Sequence, residues 1–464
     1  MEDPDNNREL TDGIQAPAWM FWKRRRFQLV FMVALGFFNT CTLRVNLSVA
    51  IVAMTNIERM RSGQNIPRIE AFDWDAKTQG HILSAFFYGY ALTQILGGRL
   101  ADKFGGTIIF GIGTGGSGIL TLFIPFAAQT GVGWLIAVRV VQGMLQGLGF
   151  PSTGHIWANW VPPSERTRVV TFAFTGSLIG TIFVFPASGF IAEHFGWQFI
   201  FYFFGSLASV WIMAWTLFIR KSPDKDKRIS ETEKIYIMTS LGTKENDKSP
   251  DKQPWVSILT SKPFLAICLA GFVEDWGYYT ILAGLPTFLK TVLDYDIQQA
   301  GNYSAYPFVA MAIALPISGY VGDFLTNKGY LSVTNVRKLV TCGAFIVQMI
   351  AMLVGASIQN PAGIICCITL SVAMGAFAWS GYLVNPLDLS LKSAGVMMGI
   401  ANCVAAIAGI ISPVAVGYLT PNQSAEEWRI VFYNTVGLYA LGTFVYFFWA
   451  SAERQPWALD SVVY

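Results

Sequence analysis

The chain has 464 residues, 53% of them hydrophobic and only 13% charged, with a mean hydropathy of +0.45. Soluble domains carry roughly a quarter charged residues, so there is too little charge here to coat a water-soluble particle of this size. The net charge of +3 is too small to argue for a nucleic-acid partner, and the six cysteines lie inside apolar runs, without metal-ligand or disulfide-framework spacing, as small core residues.

The polar stretch 1–18 lacks the short apolar core of a cleaved signal peptide. Apolar runs of about twenty residues, the length that crosses a hydrocarbon core of roughly 30 Å, follow at 28–54, 78–100, 107–128, 133–156, 169–191 and 197–219. A charge-rich interruption at 220–262 separates these from six more, at 263–286, 301–322, 339–358, 363–385, 394–419 and 430–450. The expected fold is an all-α membrane protein of twelve transmembrane helices in two six-helix halves. Its parts are a tail at 1–27, a first bundle at 28–219, a linker at 220–262, a second bundle at 263–450 and a tail at 451–464. Lys and Arg crowd the loops on the side of the two tails, above all residues 1–27 and 220–262, which puts both termini in the cytoplasm. An internal echo supports duplication: GGRLADKFGG after the second span resembles SGYVGDFLTNKG after the eighth, with Asp102 and Asp323 in matching places. Two halves facing each other across a midplane site are expected of such a repeat.

Charges inside the spans carry the functional signal. Arg44 lies near the middle of the first span, where a charged side chain costs roughly 2.5–3.5 kcal/mol. It shares a helical face with Thr40 and Ser48. In the fourth span Arg139, Gln142 and Gln146 also share a face. Two guanidinium forks from different spans form a receptor for carboxylate or phosphate, so the expected substrate is a small anion, with Tyr88 and Tyr278 completing a polar lining. The blander readings are an ion pair or bonds to backbone carbonyls for Arg44, and snorkelling to the interface for Arg139. Glu274 and Asp275, halfway along the seventh span, are candidates for coupling a proton or cation, or for pairing with an arginine.

GIGTGG at 111–116 matches a dinucleotide-binding glycine pattern but sits inside a span with no preceding strand, so close helix packing explains it better. The three histidines have no partner spacing for a metal or a catalytic triad, and no enzyme and no cofactor is expected. Asn422-Gln423-Ser424 is an N-glycosylation acceptor in a predicted external loop. A monomer in a lipid bilayer is expected, in the plasma membrane since neither tail holds a convincing acidic dileucine signal, with endolysosomal or vesicular membranes as the alternative.

Several stretches together resemble the anion/cation symporters of the major facilitator superfamily, which include sialin, the vesicular glutamate transporters and the type I sodium/phosphate cotransporters. They are RVNLSVAIVAM at 44–54, FFYGYALTQILGGRLADKFGG at 86–106, RVVQGMLQGLGFPSTGHIWANWVPPSERTR at 139–168, DWGYYTILAGLPTFLK at 275–290 and NPLDLSLKSAGVMMGIANCVAAIAGIISP at 385–413. The resemblance covers nearly the whole chain and implies the major facilitator fold and alternating-access transport of a phosphate, sialate or related carboxylate, coupled to sodium or protons. It places Arg44 and Arg139 in the substrate cavity and makes Gly98 to Asp102, echoed at Asp323, a gating loop. Three positions depart from the family's pattern. Gln146, which cannot titrate, replaces a common glutamate, so sodium coupling, uniport or exchange gains weight. Pro386 interrupts a usual N-H-L-D, and Leu83 stands where the glutamate transporters carry histidine. An anion sensor with little flux is the alternative from another class.

Overall fold

The computed structural model describes residues 24–55, 71–162, 165–241, 255–328, 331–390 and 393–459. Twelve long helices make up these residues: α1 (Arg25–Met54), α2 (Ala76–Phe104), α3 (Gly106–Leu122), α4 (Val132–Trp160), α5 (Arg166–His194) and α6 (Trp197–Phe218), then α7 (Lys262–Thr291), α8 (Ile297–Asn327), α9 (Val333–Ser357), α10 (Pro361–Tyr382), α11 (Ala394–Leu419) and α12 (Ala425–Trp449). Among the described residues nine helices are long and apolar enough to cross a membrane. A tenth span results if α3 and the short helix Ile124–Thr130, bent by 50° from it, count as one. The bend falls where Pro125 restarts the helix. α2 and α7 fall short of that apolarity because they carry polar side chains between the halves, Gln94 and Asp275 among them.

Helix starts are written locally. Asp75 accepts from the Thr78 amide, and Asp296 with Gln299 and Ser424 with Glu427 form reciprocal capping boxes. α1 is the exception. It begins at Arg25, three residues before the apolar run, because the Glu233 carboxylate of the linker helix Glu231–Leu241 accepts from the amides of Arg25 (2.9 Å) and Arg26 (3.1 Å). The same end is tied by Arg25–Asp226 (2.8 Å) and Arg26–Glu165 (3.2 Å) in the first half and Arg337–Asp388 (2.8 Å) in the second. The linker therefore clasps the first bundle, and residues 242–254 of the expected linker lie outside the described residues.

The packing repeats. α1 lies on α5 and α6, α2 on α4, and α3 on α4 and α6; α7 lies on α11 and α12, α8 on α10, and α9 on α10 and α12. The halves meet through α2 with α11, α5 with α8, and α1 with α7. Their close approaches cluster at the end away from the chain termini. There a Cβ on Gly80 would press Pro413, one on Gly417 would press Ala76, and one on Gly189 would lie 3.0 Å from the Ile297 carbonyl. Phe185 stacks on Phe308 at 5.4 Å, and the Asn402 amide donates to Gln94 Oε1 at 2.8 Å nearer the middle. Toward the termini, Gly98 on α2 and Gly395 and Gly399 on α11 have open space where a Cβ would sit. The halves are thus closed at one end and parted at the other.

Small residues let the helices of one half touch. In the glycine-rich run of α3, a Cβ on Gly113 would lie 2.6 Å from the Leu145 carbonyl and one on Gly115 would lie 2.5 Å from Ile212, which is the packing role expected of it. Of the cysteines, Cys268 and Cys342 are buried, Cys41, Cys367 and Cys403 are intermediate, and Cys366 is exposed. A core role for all six is therefore corrected for Cys366, whose place on α10 faces outward.

The tightest seam joins α2 and α4, where a Cβ on Gly143 would fall on the Phe86 carbonyl. Gly143→Val should therefore cost about 1–3 kcal/mol through overpacking, read as a lowered unfolding midpoint in detergent. Gly154→Ala on the same helix, with nothing within 4 Å, should leave the midpoint in place.

Candidate functional site: an arginine pair on one aromatic ring

α1 and α4 bring two cations to the Phe86 ring. The guanidinium carbon of Arg44 lies 5.0 Å from the ring centroid and that of Arg139 lies 5.3 Å from it. Arg44 also rests on Tyr90 at 4.8 Å, so Phe86 and Tyr90, one helical turn apart on α2, form its aromatic cradle. Tyr88 lies between them in sequence and hence on another face of α2; it is half-exposed and takes a hydrogen bond from Ser84 at 3.4 Å. A pair of aromatics at i, i+4 on the span beside Arg44 was the available signal for the cradle.

The two arginines differ in what holds them. Arg139 is 1% exposed. Its Nη1 donates to the Leu43 carbonyl (3.2 Å) and Gln142 Oε1 (2.7 Å), and its Nη2 donates to the Arg44 carbonyl (3.2 Å). Arg139 therefore neither snorkels nor pairs with a carboxylate; it staples α4 to the backbone of α1. Arg44 is half-buried, and the Nε atoms of both arginines lack a hydrogen-bond partner. Among the described residues no carboxylate lies within ion-pair distance of either.

Gln142 and Gln146 share a face with Arg139 but are spent on α3. Gln142 Nε2 donates to Thr121 Oγ1 (2.7 Å) and Gln146 Nε2 donates to Ser117 Oγ (2.9 Å), both side chains being buried. Helical spacing says which residues share a face, not which neighbour covers it. Of the stripe on α1, Thr40 bonds the Gly36 carbonyl and approaches Thr114, and Ser48 donates to the Val45 carbonyl.

α7 separates its two acids. Asp275 is half-buried and within electrostatic reach of Arg44, together with Tyr278 and Tyr279. Glu274 points the other way, 2% exposed, accepting from Gln348 Nε2 of α9 at 2.9 Å. Tyr278 packs on Phe308 (5.6 Å) and Trp379 (5.9 Å). At the end bearing the termini Asp102 and Asp323 are both exposed, with no ion pair among the described residues. Asn422 lies exposed in the α11–α12 loop, where its side-chain amide donates to Glu427 at 2.8 Å.

Two repeated helical halves, parted at one end with charge held between them, define a multi-pass membrane transport protein. The sequence profile of the Major Facilitator Superfamily matches residues 29–413, and the chain belongs to that superfamily. Within it, it falls with sialin and the vesicular glutamate transporters. It is 37% identical to human sialin over 460 residues, covering 94% of this chain and 91% of that protein. It is 37% identical to human vesicular glutamate transporter 2 over 438 residues, covering 94% of this chain and 75% of the other. Its relatives are transporters, and the chain is not an enzyme. Among solved structures, a bacterial homolog of the human lysosomal transporter Spinster, inward-facing and unoccupied, superposes with a TM-score of 0.73 at 15% identity, covering 93% of this chain and 99% of that one. A D-xylose-proton symporter gives a TM-score of 0.67 at 14% identity, covering 92% and 99%. These two share the fold.

Removing the partner of Arg139 should be felt as lost stability. Gln142→Leu strips Arg139 Nη1 of its shortest bond and leaves Thr121 Oγ1 with only its bond to the Ser117 carbonyl, a loss of about 1–3 kcal/mol. A lowered unfolding midpoint in detergent checks it; an unchanged midpoint would deny the staple.

Proposed function

We propose that this transporter carries a small anion, inorganic or carboxylate, by alternating access, and that Arg44 is the cation that meets it. One observation carries the reading. Two permanently charged guanidiniums share the Phe86 ring, each with an unbonded Nε, and no carboxylate lies within ion-pair distance among the described residues. Buried cations of like sign without counter-charge are costly, and a passing anion supplies what the protein leaves out. The relatives' names, with glutamate among them, favour the same class.

Arg44 is the open partner and Arg139 the fixed one, so Arg139 acts by holding α1 and α4 in register while Arg44 contacts the substrate. Asp275 lies within electrostatic reach of Arg44 but beyond ion-pair distance of it, and takes the ion-pairing role as the halves rock. Gln142 and Gln146 support the site through α3, Tyr278 lines it, and Tyr88 belongs to its margin. Gly98, Asp102 and Asp323 act as gate elements at the parted end, engaging when that end closes. The termini face the cytoplasm, the protein works as a monomer, and Asn422 on the opposite side accepts a glycan. The vesicular names among the relatives move the balance from the plasma membrane toward a vesicular or endolysosomal membrane. A sodium or proton gradient drives the transport as symport; uncoupled exchange is the second reading, favoured by Gln146, which cannot titrate.

Uptake of radiolabelled phosphate, sialate, glutamate and urate into proteoliposomes, with and without sodium and at two pH values, tests this. Loss of one charge-assisted contact is worth about 1.5–3 kcal/mol, so Arg44→Ala should lower uptake of the carried anion roughly ten- to a hundred-fold. Arg44→Lys should rescue little, since a point charge neither forks nor lies flat on Phe86 and Tyr90. Wild-type uptake by Arg44→Ala would reject the role, and binding without flux would select a sensor.

A further inference from the structure

Among the described residues Glu274 is the one carboxylate fully buried in the second half. It is 2% exposed on α7. Its Oε2 accepts from Gln348 on α9, and α10 comes so close that a Cβ on Gly375 would fall on its Oε1. Among the described residues the titratable groups within electrostatic reach are Asp275 on α7, Tyr382 on α10 and Tyr439 on α12, and Met311 of α8 lies beside Gly375. None of them is a cation.

A carboxylate buried in a membrane bundle without a counter-cation is stable as the neutral acid. The neighbouring glutamine suits either form, because an amide offers a donor to the carboxylate and an acceptor to the acid. Gln142, Gln146 and Gln348, three further buried polar side chains, cannot titrate. Asp275, the next residue, faces Arg44 and so differs in kind.

We propose that Glu274 is the proton carrier of this transporter, and that it works from inside the second half and not from the anion site. This rests on the transport reading above. One proton taken from water on one side converts the carboxylate to the acid, and its release on the other side restores the carboxylate. Ionisation needs water or a donor at Oε1, and Gly375 on α10 blocks that space, so release of the proton requires α7 and α10 to separate. α10 packs on α8, and α8 meets α5 across the halves, so this separation is linked to the rocking of one half against the other. Protonation and anion binding then communicate through α7, which carries Asp275 beside Arg44, without competing for one place.

Two measurements test it. In purified wild-type protein, infrared spectra near neutral pH should contain the carbonyl stretch of a protonated carboxyl group, absent in Glu274→Gln and kept in Asp275→Asn. In proteoliposomes with radiolabelled phosphate and sialate as probes, a gradient of about one pH unit should hold about a ten-fold accumulation if one proton is coupled. Glu274→Gln should hold none, yet should retain counterflow exchange at the wild-type KM, while Asp275→Asn should alter that KM. Absence of the band in wild type, persistence of the band in Glu274→Gln, or pH-driven accumulation by that variant would overturn the assignment. Absence of counterflow in the wild type would instead overturn the transport reading, and the infrared result would still decide whether Glu274 holds the proton.

Discussion

Positive charge inside an apolar bundle, with no carboxylate at ion-pair distance among the described residues, is the constraint around which the first half is built. Arg139 is accommodated by carbonyls of α1 and by Gln142, which is in turn anchored by Thr121 on α3. Arg44 is accommodated by the faces of Phe86 and Tyr90. Carbonyls and ring faces stabilise a cation partially, each as a dipole or quadrupole. The site therefore stays positive, and it stays positive where the two halves meet.

The seams explain how such a site can be both rigid and switchable. Within a half, α2 and α4 approach backbone to backbone through Gly143, Gly147 and Gly89, so neither helix can shift alone. Between halves the contacts include small residues at the closed end, the ring pairs Phe185–Phe308, Phe87–Tyr279 and His81–Tyr418, and bonds from Asn402 and Cys403 to Gln94. A first half stiffened in this way can move as a body against the second, which is the mechanical requirement for rocking around a midplane site.

Much of this was legible in the sequence, for a physical reason in each case. The twelve long helices follow from the dominance of apolar runs over every other signal. Arg44 and Arg139 stood out because charge in a membrane helix is rare and costly. What surrounds them was less legible. Arg139 is satisfied largely by backbone carbonyls, which every residue carries. The cradle of Arg44 is Phe86 and Tyr90 and not Tyr88, and on a helix a step of two residues changes the face. Gln142 and Gln146 were rightly grouped with Arg139 on one stripe, yet that stripe meets α3. Glu274 and Asp275, adjacent in sequence, point into different surroundings. The early start of α1 depends on Glu233, more than two hundred residues away, beyond any local cap rule.

The most direct test of an unneutralised cation awaiting an anion is binding itself, without transport. A ligand that binds only the folded state raises stability by about 2.7 kcal/mol at a hundred times its Kd. The unfolding midpoint of the purified protein should rise with concentration of phosphate or a carboxylate anion, over a matched chloride control, and the rise should vanish in Arg44→Ala. An equal rise in wild type and Arg44→Ala would contradict the account, because the anion would then be held somewhere other than on the Arg44 guanidinium beside Phe86.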